Sequence, residues 1–180
     1  MFDNDKLLFS ANNEIDHVKG IVKVYDSYVA QNEVGKEKQQ FQQIAKIMKE
    51  RTEERYIKPI KMFLHNCKEH PEQSGLIVMG INCILIELYF EMIHGLDKSD
   101  EGGHKVQDAY TAILPLLDPS ITEEDAKRFY KGIRCKIIHQ GQTGLHTAIT
   151  YAELIDKIII LCGESVSYTH LRAHETDQYL

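Results

Sequence analysis

Asp125-Ala126-Lys127-Arg128-Phe129-Tyr130-Lys131-Gly132-Ile133-Arg134-Cys135-Lys136-Ile137-Ile138-His139-Gln140-Gly141 is the stretch on which the reading of this chain turns. Placed on a helix, Ala126, Phe129, Tyr130, Ile133 and Ile137 form one apolar face. Lys127, Lys131 and Arg134 form an adjoining basic stripe, with Arg128 and Lys136 at other azimuths. The segment opens with two overlapping capping patterns, Ser120-x-x-Glu123 and Thr122-x-x-Asp125. It closes at Gly141, a residue that tolerates the left-handed conformation at a helix end.

Working outward, helical periodicity dominates and strand signals are scarce. A first helix is expected over about Glu14 to Ala30, with Ile15, Val18, Val22 and Tyr25 on one stripe. After a polar break at Gln31 to Gly35, a second runs from about Lys36 toward Lys68, and Pro59 kinks or divides it. A third, from about Pro71 to His94, is apolar nearly all round, as the central helix of a bundle is, and Gly95 closes it. A charged loop from Leu96 to Gly103 leads to a fourth helix over about His104 to Leu117, and the motif helix follows as the fifth. Ala152 to Cys162 reads as a sixth helical segment. The fold class expected is therefore all-α, a single helical domain over residues 1–164.

The chain has 180 residues and a formal charge of −6, a poor balance for broad coating of nucleic acid, though compatible with a local basic site. Cys67, Cys83, Cys135 and Cys162 lie far apart without a CxxC pair, and read as reduced thiols of a cytoplasmic protein. Asn82, Glu87 and Glu91 interrupt the apolar run from Gly75 to Ile93, which suits a buried helix better than a membrane span.

Arg134 and His139 carry the chemistry of the motif. Arginine is a permanent cation that grips a phosphate through paired hydrogen bonds. Histidine titrates nearest neutrality, and in the last turn of a helix the dipole favours its protonated form. Five residues on a regular helix separate the two by about 140°, so joint action needs a bend or a helix end between them. The plainer alternative makes Lys127, Lys131 and Arg134 a solvated face and His139 a C-terminal cap.

The Arg-x4-His spacing, in a capped helix that follows an apolar acidic helix, resembles the HEPN family, small helical domains that include many RNases. The similarity covers about residues 75–149. It implies a HEPN-like bundle with an N-terminal helical extension, often paired as a homodimer. It implies that Arg134 binds the scissile phosphate and that His139 serves as general acid or base for 2'-OH attack, giving a 2',3'-cyclic phosphate without metal or other cofactor. RNA is the implied partner, with an antitoxin or another protein as a further one in toxin-antitoxin or phage-defence settings. Lys127 and Lys131 would support RNA binding, and Glu87 or Glu91 would orient the site; the plainer alternative has both acids border the core and pair with Lys61 or Arg134. Cys135 departs from the pattern, since many active members carry Asn, Asp or His there and a thiol is a weak donor. The alternative is a catalytically inactive module of the same fold that binds RNA, a nucleotide or a partner protein.

Two other features are set aside. His65-x-Cys67-x-x-His70 does not match a common structural-zinc spacing and reads as helix surface. Residues 165–180 resemble translated sequencing-adapter sequence, so the native chain is expected to be legible only to about Glu164.

Overall fold

A computed structural model describes residues 8–70, 74–145, 147–150, 159–162 and 166–170. It is mostly helical, and it divides into two compact units that meet in sequence at Phe63 and Leu64.

The N-terminal unit begins with a short antiparallel pair, β1 (Leu8–Ser10) and β2 (Asn13–Glu14). It continues through α1 (Ile15–Ala30) and α2 (Val34–Thr52). Between the helices Asn32 takes a left-handed φ of 54°, a conformation Asn tolerates better than most residues. Val18, Ile21 and Ile47 form a small core, covered by Phe9 and Ile44. The strand pair is clasped by polar side chains of the following helix. Arg51 donates to the Phe9 carbonyl and lies over the Phe9 ring, Arg55 Nη2 donates to the Leu8 carbonyl at 2.7 Å, and the Ala11 N–H donates to Glu54 at 2.7 Å. The helix then passes through a π turn, Glu53–Ile57, into α3 (Lys58–Asn66). Proline at 59 lacks an N–H and crowds the carbonyl four residues back, so the expected interruption takes the form of a widened turn rather than a break.

The C-terminal unit contains α4 (Gly75–His94), α5 (Val106–Leu117), α6 (Glu123–Phe129), a π turn at Tyr130–Arg134 and α7 (Cys135–Gln140). α6, the π turn and α7 are one continuous helix, the motif helix. Thr122 caps it reciprocally with Asp125, so the second of the two expected capping patterns is the one used. Gly95 (φ 63°) and Gly141 (φ 64°) end α4 and α7 in the left-handed conformation. The core joins Met79, Cys83, Ile86 and Phe90 of α4 to Ala109, Tyr110, Ile113 and Leu114 of α5, and to Ala126, Phe129 and Ile133 of the motif helix.

Two expectations need correction. α4 is not buried all round: Ile77, Ile84, Tyr89 and Ile93 stand about half exposed, because its neighbours in this unit cover one face only. Its length and composition would suit a membrane span, yet its middle carries the ion-paired Glu87. The sixth helix is also not formed over its final residues, where Ile159–Cys162 is strand β4. The rest of that prediction, 152–158, lies outside the described residues. An unbroken apolar run such as Ile159-Ile160-Leu161 serves a buried strand as well as a helix. β4 pairs antiparallel with β5 (Val166–His170), which pairs parallel with β3 (Thr147–Thr150). β5 falls wholly within the adapter-like stretch, and Thr147, the first residue of β3, pairs with its Ser167.

Candidate functional site

Glu87, in the middle of α4, is the hub of the site. Arg134 grips its carboxylate with two hydrogen bonds, Nε to Oε1 at 2.9 Å and Nη2 to Oε2 at 3.1 Å. Both side chains are 18% exposed, so the pair works in a reduced dielectric and not in bulk water. The Tyr110 hydroxyl of α5, on a side chain with no exposed surface, donates to Glu87 Oε1 at 2.6 Å and lies 3.3 Å from the Cys83 carbonyl. Ser99, buried in the loop between α4 and α5, places its hydroxyl 3.4 Å from Oε2. Tyr130 completes the wall, its ring 5.4 Å from that of Tyr110 and 5.9 Å from the Arg134 guanidinium.

The π turn explains why Arg134 reaches Glu87. On a regular helix Arg134 would lie about 80° from Ala126, flanking the apolar face. The Cys135 N–H instead bonds the Tyr130 carbonyl, five residues back. That widened turn holds one extra residue, which returns Arg134 to within about 20° of Ala126 and aims it inward. The expected stripe of Lys127, Lys131 and Arg134 is thereby split. Lys127 pairs with Glu123 at 2.5 Å and Arg128 with Glu124 at 3.7 Å, both near the surface, while Lys131 is exposed.

The electrostatics follow the contacts. The hydrogen bond to Glu87 raises the Arg134 pKa above its ordinary value; burial opposes this, and the Glu87 charge adds to it. Burial first, and then the neighbouring Cys83 and Glu87, push the Tyr110 phenol up. Burial pushes the Cys83 thiol up to about 12. Burial first, and then the neighbouring Cys135, raise the Tyr130 phenol, with the Arg134 charge opposing; Cys135 itself is half-buried.

His139 is exposed in the last turn of α7, with no hydrogen bond or ion pair among the described residues. The widened turn precedes Arg134, and the helix between Arg134 and His139 is regular α. The bend that would bring them together is therefore absent within one chain, and they diverge by about 140°. Glu91 is half-buried one turn beyond Glu87 and takes no part in the cluster among the described residues. Among those residues, no three His, Cys, Asp or Glu side chains gather as metal ligands, His65, Cys67 and His70 included.

A loop closes the back of the motif helix. The Gly132 carbonyl accepts from the Gly144 N–H at 2.8 Å and from the Thr147 hydroxyl at 2.9 Å. Sequence reasoning missed this contact and the roles of Tyr110 and Ser99. Tyr110 reads as one more core position on an apolar stripe, and nothing local reveals where its hydroxyl goes. Gly132, a glycine inside a helical pattern, was the one visible signal of close backbone approach.

Compared with family models, curated proteins and solved structures, the chain finds no significant match.

Proposed function

We propose that this protein is a metal-independent endoribonuclease of the HEPN type, in which Arg134 binds the scissile phosphate and His139 transfers the proton. The observation that carries the reading is the fixing of Arg134. Glu87 engages Nε and Nη2 along one edge of the guanidinium, which leaves the Nη1 protons and the second Nη2 proton as the donors for an anion. Five residues later His139 stands exposed in the last turn of the same helix. Because the two side chains diverge within one chain, the reading requires two copies to supply one phosphate with both groups.

A second reading is a non-enzymatic module that binds RNA, a nucleotide or a partner protein. Cys135 favours it, since a thiol directly after the arginine is a weak donor. RNA cleavage in EDTA by the wild type, His139→Ala and Arg134→Lys separates the two. Lysine keeps the charge over Glu87 but not the paired geometry. The nuclease reading expects cyclic phosphate ends from wild type and at least about a hundredfold loss in each variant. RNA binding without cleavage in all three folded proteins would establish the module instead.

A further inference from the structure

We infer that Thr147 is a positioning residue for Arg134, acting through the Gly132 carbonyl and the π turn. The functional meaning of this coupling rests on the phosphate-binding reading of Arg134; the coupling itself does not.

Three observations carry it. First, the loop takes hold of the turn from outside the helix. The Gly144 N–H and the Thr147 hydroxyl reach the Gly132 carbonyl, at the centre of Tyr130–Arg134, and the same hydroxyl lies 3.1 Å from the Gly144 carbonyl. The Thr147 N–H bonds the Gly144 carbonyl at 3.0 Å, so the loop is closed on itself as well as on the helix.

Second, the approach depends on two glycines. A Cβ at Gly132 would lie 2.4 Å from Thr147 Cγ2, nearer than any real contact. A Cβ at Gly144 would lie 3.2 Å from the Gly132 carbonyl oxygen and 3.3 Å from its Cα. A side chain at Gly132 would collide with the Thr147 methyl, and one at Gly144 would press on the Gly132 backbone, so the approach is closest with hydrogen at both positions.

Third, the turn under the loop is a rarely used form of helix, and no proline lies within it or within the following turn to force it. Freed from the loop, the turn keeps only the Glu87 pair and the buried Ile133 to hold it, and if it rewinds to the α form Arg134 rotates by about one residue's azimuth, roughly 100°, away from Glu87. Thr147 therefore governs which way Arg134 points without touching it. With the loop seated, the guanidinium is locked to Glu87; with the loop lifted, it turns toward the face of Lys131.

The test reads Arg134 directly, by the exchange of its Nε proton with water in NMR spectra of the full chain. Thr147→Val keeps the shape and removes the hydroxyl, and it should speed that exchange by about tenfold. Thr147→Ser restores the hydroxyl and should stay within about twofold of wild type. Equal exchange in all three would overturn the assignment. If the valine variant fails to fold, the wild type decides alone: after correction for intrinsic rates, the Gly144 amide and the Arg134 Nε proton should open within about threefold of each other. A Gly144 amide that opens about a hundredfold more often than the guanidinium breaks the coupling. Cleavage in EDTA on the same samples keeps the two readings apart. An inactive wild type with coupled exchange removes the nuclease and leaves the positioning role, and an active one with uncoupled exchange does the reverse.

Discussion

Arg51 and Arg134 each leave a helix to hold a segment distant in sequence, yet their surroundings differ. Arg51 gives its protons to a neutral carbonyl and lies over a phenylalanine ring, with Arg55 as a like-charged neighbour. Burial first and the Arg55 charge second lower its pKa. Arg134 meets a carboxylate, and its pKa is raised. The same residue type thus serves as a clasp in the N-terminal unit and as one half of a charge pair in the C-terminal unit. The lesson concerns removal. A clasp that is lost leaves carbonyls that water can satisfy, whereas a lost partner in the pair leaves a carboxylate stranded in a poor solvent.

The largest effect expected is therefore at the pair. Arg134→Ala should lower unfolding stability by about 4 kcal/mol in urea titration, and adding Glu87→Gln should recover more than half of it. A loss no greater than that at Arg51 or Arg55 would erase the distinction between the units. Tyr110→Phe comes next. It deletes one hydrogen bond to a charged acceptor in a buried place, which costs about 2 kcal/mol without changing the fold.

Alkaline titration sharpens the contrast further. The Cys83 thiol is raised from 9.0 to about 12, so below pH 9 it is protonated folded or unfolded and its contribution is complete. Between those values the unfolded chain ionises and the folded one does not, and stability falls by about 1.4 kcal/mol per pH unit. Urea midpoints at pH 8, 9 and 10 should show the decline, and Cys83→Ala should remove most of it, leaving the smaller fall that the raised Tyr110 phenol adds as pH nears 10. Smallest of all, Arg55→Ala should cost less than about 1 kcal/mol, because its bond to Leu8 is exposed.

What could be foreseen divides along similar lines. Helix ends were legible because they depend on a few local atoms: Gly95 and Gly141 at C-termini, Thr122 with Asp125 at an N-terminus. The Glu87–Arg134 pairing was one of the outcomes that residue types allowed, and the structure selects it. The direction of Arg134 was not legible, because a helical wheel assumes a constant advance per residue and the π turn breaks that assumption without a proline to announce it. The strands were hidden for another reason. Leu8–Ser10 carries no alternation and is held by side chains of a helix some forty residues later, which no local pattern records.

Cys83 offers one more use. It is 1% exposed, lies one turn before Glu87 and has its carbonyl beside the Tyr110 hydroxyl. Thiol reagents reach such a sulfur only when the packing between α4 and α5 parts. Its rate of modification is thus a chemical clock for that parting, read against the more accessible Cys67 and Cys135, and it times the loosening of the charge hub without any label foreign to the chain.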